Sequence, residues 1–334
     1  MLRPRLTFFC ELPPDKLERL FTEPAVIADL KALGAGLSLA ILDLSGQRAE
    51  VVRRLNQEGI PVVAWLLLPK EEGYFFHLDN APQAARFYTD FKAWTAAHQL
   101  QWAGVGLDIE TDINEMERLA RRQWLSFLAA ALRRLLNHEH FRRAQMIYSG
   151  LVARIQADGY RVDSYIFPAV FDERRVGASL LQRLFGIIDI PADRDVPMLY
   201  SSFVGADGSV LCSYAPEALS IAVGSTGGGI EVGEAGELRA LTWDEFARDL
   251  RFGARLCRDL HIYSLEGCIR QGFLARLKTF DWGYYTPMPH ESIRRVNRIR
   301  RLARAGLWLT AHPWLTLAGL IGLAWLIARP NRRA

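Results

Sequence analysis

The sequence predicts an α/β chain of the (β/α)₈ TIM-type barrel class, followed by an apolar C-terminal segment. Three observations lead there. Short apolar, β-rich runs alternate with amphipathic helical stretches, the pattern of parallel strands joined by crossover helices. The 334 residues suit one barrel of roughly 250 residues with an appendage. Residues 307–328 form a 22-residue run without a formal charge.

The candidate strands are residues 6–12, 37–44, 61–68, 104–110, 145–150, 163–169, 197–203, 219–226 and 261–267. Helical patterns fill 15–33, 47–58, 81–98, 115–136 and 242–259. Nine runs compete for eight barrel positions. All nine are kept, with 145–150 or 219–226 as the short or irregular one. Residues 104–110 are the fourth strand in every version, and 261–267 the last. An open doubly wound sheet is the alternative. It often carries a glycine-rich turn after its first strand, but here that strand runs into Glu11-Leu12-Pro13-Pro14.

Half of the residues are hydrophobic, enough for a sizeable core, and the formal net charge is +4. The basicity is local. From Met288 onward there are nine arginines and one acid, which leaves −4 to residues 1–287. A nucleic-acid partner would need a basic face on the fold itself, so none is expected. Cys10, Cys212, Cys257 and Cys268 form no CxxC pair and no zinc spacing, and read as reduced, buried thiols. The N-terminus lacks the long apolar run of a signal peptide. No cofactor motif stands out.

In barrels, chemistry gathers at the C-terminal ends of the strands. Those ends here are Glu11, Asp43, Asp108 with Glu110, and Glu266. Along residues 104–110, alternation puts Gly106, Asp108 and Glu110 on the inner face, and Val105, Leu107 and Ile109 toward the helices. Two inward carboxyls this close resist joint ionisation, so one is held protonated, as a general acid requires. Gly106 below them leaves room for a side chain or a ligand. Trp65, Tyr74, Phe75, Tyr148, Tyr165, Tyr200 and Trp282 lie in or near the strand ends, with Trp65 the preferred stacking platform.

The segment AGVGLDIE, residues 103–110, resembles the D-G-x-D-x-D-x-E strand of chitinase-type glycoside hydrolases, and Met198-Leu199-Tyr200 resembles that family's M-x-Y strand. The resemblance implies a barrel in which Glu110 protonates a glycosidic oxygen. It implies that Asp108 orients the substrate's acetamido group and that Tyr200 helps to hold it. Ala103 and Gly106 depart from the motif, and the last strand lacks the family's tryptophan. Glu266 suggests a second mechanism, since strands four and eight face each other and two carboxyls define a glycosidase pair.

The expectation is thus a membrane-anchored, glycoside hydrolase-like enzyme acting on a sugar or glycolipid. Glu110, Asp108, Glu266 and Tyr200 are its catalytic candidates. Glu11, Asp43, Trp65, Tyr148 and Tyr165 are the candidates for substrate binding. The rival is a phosphosugar isomerase or lyase that cradles phosphate on the glycine-rich residues 224–229. Against it, Glu231, Glu234 and Glu237 follow with no lysine nearby. A barrel that binds glycans without cleaving them is a third reading. A divalent metal on Asp108, Glu110 and Glu266 is not expected, and only His77 and His261 come near the site.

Residues 1–285 form the barrel in this reading, 286–306 a basic linker, 307–328 a transmembrane helix and 329–334 a short basic tail. About 20 apolar residues span a bilayer. Arg294, Arg295, Arg298, Arg300, Arg301 and Arg304 precede the span, and Arg329, Arg332 and Arg333 follow it. That excess predicts a single-pass anchor with the barrel in the cytoplasm and the arginines against lipid head groups.

Overall fold

The structure is a computed structural model that describes residues 3–229 and 239–318. Eight strands form one parallel sheet: β1 (Arg5–Cys10), β2 (Gly36–Ile41), β3 (Val62–Leu66), β4 (Gly104–Asp108), β5 (Val162–Ile166), β6 (Arg194–Pro197), β7 (Ser220–Gly224) and β8 (Asp259–Tyr263). Each pairs with its sequence neighbour from β1 to β6, β7 pairs with β8, and β8 pairs with β1. Between β6 and β7 a single parallel bridge, Met198 to Ala222, nearly closes the barrel.

The strands are apolar on both faces because both faces are covered. All five residues of β3 and all five of β4 are buried. Val105, Leu107 and Ile109 join the layer under the helices. Phe9, Ala40, Trp65, Tyr165, Val196 and Ala222 fill the barrel itself. The N-terminal end is plugged by ion pairs, Arg194 to Asp163 at 2.5 Å and Arg5 to Asp259 at 2.6 Å. His261 sits fully buried inside β8.

Residues 145–150 are not a strand. They lie within the helix His138–Ala157, which leaves 219–226 as the seventh strand. Asn137 caps that helix by accepting the His140 N–H, and its buried positions, Phe141, Ala144, Tyr148, Leu151, Val152 and Ile155, repeat at helical spacing. A six-residue window hides this period. The stretch 15–33 divides into Pro14–Thr22 and Pro24–Leu33, because Pro24 cannot continue a helix but starts one well. Residues 115–136 divide likewise into Ile113–Ala120 and Trp124–Leu136.

The C-terminal expectation is also corrected. Residues 286–306 are not a linker, since the helix His290–Ala311 occupies most of them. Arg300 on this helix is buried and donates to Asp172 at 2.9 Å, and Arg304 reaches the same carboxylate at 2.6 Å. These arginines grip acids of the barrel rather than lipid head groups. The apolar run 307–328 is divided. Its first five residues finish the helix, which stops at His312 before Pro313, and 313–318 are helical again. Residues 319–328 lie outside the described residues. Among the described residues no helix is long and apolar enough to cross a membrane. The single-pass anchor, and the cytoplasmic placement argued from its flanking arginines, are therefore not upheld.

Breaking a buried ion pair from one side strands the other charge. Arg300→Ala should lower unfolding free energy by about 3 kcal/mol in urea titration. A loss under about 0.5 kcal/mol, typical of an exposed pair, would show that this contact does not hold the helix to the barrel.

Candidate functional site

Among the described residues, four carboxyl groups meet at the C-terminal mouth. Glu11 follows β1, Asp108 ends β4, Glu110 lies two residues on, and Glu266 sits in the first turn of the helix Leu265–Arg270 after β8. Glu11 is held by two tyrosines. Its Oε1 accepts from the Tyr74 hydroxyl, and its Oε2 accepts from the Tyr263 hydroxyl at 2.5 Å. Tyr74 reaches it from a tight turn in which its backbone adopts φ +63°, a conformation rare for a bulky residue. The Glu11 backbone N–H donates to Glu266 Oε1 at 3.3 Å, which ties the first strand end to the last.

Asp108 lies on the inner face, as alternation predicts. Trp65 Nε1 donates to its Oδ2 at 3.1 Å, so Trp65 is first a positioner of Asp108. Asp108 Oδ1 is buried and has no hydrogen-bond partner among the described residues, and the same holds for Glu266 Oε2. Gly106 is required by Tyr165, since a Cβ there would come within 2.5 Å of the tyrosine hydroxyl. Tyr165 thus fills the room that the glycine leaves, and its hydroxyl lies 2.5 Å from Ser38 Oγ. Tyr200 stands beside Tyr263, ring centroids 5.7 Å apart.

The electrostatics follow from packing acids among aromatic rings. Burial, reinforced by Glu11, pushes Glu110 up to about 7. Burial raises Glu266 to about 7 as well, again with Glu11 adding to it. Asp108 is raised well above the usual carboxylate range by burial, then by Glu110 and Glu11. Burial, with Asp108, Glu110 and Glu11 adding to it, keeps the Tyr200 hydroxyl protonated. The mouth therefore holds protons near neutral pH that carboxyls in water would have released.

The glycine-rich run is ordered and packs directly on these groups. The Ser264 hydroxyl donates to the Gly227 carbonyl at 2.8 Å, and the Thr226 hydroxyl donates to the Ser264 carbonyl at 2.9 Å. A Cβ at Gly228 would meet Glu266 Cγ at 2.6 Å, and one at Gly229 would meet Glu11 Oε2 at 2.7 Å. All three of Gly227, Gly228 and Gly229 have φ near +90°. Residues Glu231, Glu234 and Glu237 lie outside the described residues.

Some predicted residues stand elsewhere. Asp43 pairs with the fully buried Arg48 at 2.7 Å. Burial is the largest influence on Asp43 and acts upward, yet Arg48 and Ser45 together hold its carboxyl below the usual range. Tyr148, on the helix His138–Ala157, is buried in the helix layer, and its hydroxyl donates to the His77 carbonyl at 2.9 Å. It is not at the mouth, because the strand predicted to carry it is a helix. Trp282 packs edge-on against Phe280 in the outer layer. His77 Nδ1 accepts from the Asp79 N–H in a loop turn. Tyr263 is the main residue the sequence reading did not name, although alternation along β8 puts it on the inner face with His261. Among the described residues, no group of three or more His, Cys, Asp or Glu is arranged to hold a metal ion.

No family model matches the chain, and no curated protein matches it. Similar solved structures include an L-ribulose 3-epimerase, with 13% identity, TM-score 0.42, and 98% of this chain and 99% of that chain covered. An AP endonuclease of family 2 from Brucella melitensis has 14% identity and TM-score 0.41, covering 80% and 98%. A xylose isomerase-like TIM barrel protein from Mycobacterium smegmatis, in complex with magnesium, has 11% identity and TM-score 0.42, covering 84% and 99%. At such scores these likenesses carry no chemistry across. They are not chitinase-type hydrolases, and with no matching family model the chitinase resemblance of residues 103–110 and 198–200 is not upheld. Its eight-residue match is accounted for locally: Gly106 serves Tyr165, and Asp108 and Glu110 serve a four-carboxyl mouth.

A carboxyl whose folded pKa is raised keeps its full contribution to stability below its unfolded value and loses it as pH rises through the folded value. Stability should therefore fall from about pH 5 to pH 8 as Glu110 and Glu266 ionise, by on the order of 1–3 kcal/mol each. Glu110→Gln and Glu266→Gln should each flatten that fall in chemical denaturation. An unchanged pH slope in both variants would contradict the raised carboxyls.

Proposed function

We propose that the barrel mouth is a proton-transfer site acting on a carbohydrate, in the manner of a sugar isomerase or epimerase. The observation that carries this reading is that Glu110 and Glu266 both lie close enough to Glu11 to feel its charge at one mouth, where burial and that charge raise each to about 7. Such groups exchange protons readily in either direction near neutral pH, which suits a base that removes a proton and an acid that returns one. In the reaction, one ionised glutamate takes the proton from the carbon beside the substrate carbonyl. The electron pair moves onto the carbonyl oxygen as an enediolate. The other, protonated glutamate then delivers a proton to the opposite face of that carbon, and the carbonyl re-forms. Delivery to the neighbouring carbon instead follows passage of the enediol hydroxyl proton to the former carbonyl oxygen, so that the carbonyl forms in its new place. No electrons are gained or lost overall.

The remaining groups support the intermediate. The Tyr200 hydroxyl, kept protonated by burial, has a donor to offer the developing oxyanion. Trp65 fixes Asp108 through its indole N–H. Tyr165 supports the floor beneath Gly106. Glu11 shapes the field in which Glu110 and Glu266 titrate. The glycine run favours an unphosphorylated substrate. Its backbone lies against Glu266 and Glu11, so a phosphate there would meet acidic side chains.

Solvent exchange tests the reading whichever product forms. Incubation with free aldoses and ketoses in deuterated water should place deuterium beside the carbonyl, read by proton NMR. Glu110→Gln should slow exchange by about 10²–10⁴-fold. Wild-type exchange no faster than the buffer rate across the sugar panel would refute proton transfer at this mouth. Exchange unaffected by either the Glu110→Gln or the Glu266→Gln change would remove the glutamate pair from it.

A further inference from the structure

Two buried carboxylate oxygens at the mouth, Asp108 Oδ1 and Glu266 Oε2, have no hydrogen-bond partner among the described residues. Asp108 is only 3% exposed, so bulk water does not serve this acceptor. Buried acceptors of this kind are costly unless a ligand supplies donors. The influences on Asp108 and Glu110 are burial, other carboxylates and the single Trp65 N–H, and none of them is a positive charge. Arg48, whose charge reaches Cys10 and Tyr74, is wholly buried and donates to Asp43, the Ala40 carbonyl and the Leu12 carbonyl. The walls are aromatic, with Trp65 and Tyr263 ring centroids 6.4 Å apart and Tyr200 adjoining Tyr263.

We propose that the mouth selects a substrate bearing a protonated amine on a small polyhydroxy skeleton, an amino sugar, with the ammonium group seated on Asp108 and within reach of Glu266. This rests on the proton-transfer reading only in taking the same mouth as the substrate site. An ammonium group carries three donors and no acceptor, which matches a surplus of unfilled acceptors. It supplies the positive charge that lets buried carboxyls ionise without isolation. Trp and Tyr faces attract a cation within about 6 Å of the ring centroid. A neutral sugar can satisfy lone pairs but brings no charge that favours the ionised carboxyls. A phosphosugar or sugar acid adds negative charge to a site whose carboxyls already resist ionisation. The glycine run acts in the same direction, because Gly228 and Gly229 bring bare backbone against Glu266, Tyr263 and Glu11, and no side chain from that run intervenes.

Binding of three probes to the full chain, followed by calorimetry, tests this without turnover. The probes are glucosamine, glucose and glucose 6-phosphate. Glucosamine should bind roughly tenfold tighter than glucose, equivalent to about 1.4 kcal/mol, and glucose 6-phosphate should bind weakest. Asp108→Asn keeps the shape but not the charge, and should shrink the amine's advantage to about twofold or less. The circular-dichroism melt of the variant shows that it is folded, and Glu266→Gln serves as the second variant should Asp108→Asn not fold. Glucose or glucose 6-phosphate binding as tightly as glucosamine would overturn the proposal. So would failure of all three to bind, or an amine preference that survives the substitution intact. Amine-selective binding without deuterium exchange would leave this proposal standing and remove proton transfer. Exchange on neutral sugars without amine selectivity would do the reverse.

Discussion

The Tyr74–Glu11–Tyr263 clamp is the contact on which the mouth depends. It spans the seam between β1 and β8 and draws in the loop after β3. A carboxylate fixed this way, inside an aromatic wall, imposes its charge on every group around it. Glu110, Glu266, Asp108 and Tyr200 all respond to it, each in the direction that retains a proton. Burial acts first on each of these groups, and Glu11 adds to it without needing to touch a substrate. Its partners keep it in place, and the barrel keeps its partners in place.

The division of labour within the barrel follows from the same physics. At the N-terminal end, acids are matched by arginines: Asp163 by Arg161 and Arg194, and Asp259 by Arg5 and Arg194. Those charges are paired and serve stability, although neither ring nitrogen of the buried His261 beside them has a hydrogen-bond partner among the described residues. At the C-terminal end, acids meet aromatic rings and one another, and two acceptor oxygens are unfilled among the described residues. The asymmetry marks where a ligand is expected, since unfilled acceptors cost stability that only binding recovers. The general geometry of a barrel does not explain this contrast. The choice of tyrosine, tryptophan and glycine around the upper acids does.

Much of this was legible in the sequence. Strand periodicity located most of the strands within a few residues, and the inner face of 104–110 followed from alternation alone. Asp108, Glu110, Glu11 and Glu266 were legible because apolar strands that end in acids are conspicuous. Tyr148 was misplaced because six residues of a long buried helix resemble a strand when most are apolar. That Asp43 is engaged by Arg48, five residues on, is not visible in a linear sequence, because the pairing depends on how the chain folds back. The apolar C-terminal run misled because hydropathy does not register that Arg300 and Arg304 dock the preceding helix on Asp172, or that Pro313 interrupts it. The glycine run read as a phosphate cradle since its spacing is right. Only the fold shows that Glu266 and Glu11 face it.

The central claim is that burial beside Glu11 keeps two mouth glutamates protonated close to neutral pH. Carbon-13 NMR titration of the side-chain carboxyls, with selectively labelled glutamate, reads this directly. The account predicts two glutamate carboxyl resonances titrating near pH 7, one lost in Glu110→Gln and the other in Glu266→Gln. Both should move toward the ordinary range in Glu11→Gln. Titration of every glutamate below about pH 5, the range expected of unperturbed carboxyls, would contradict it.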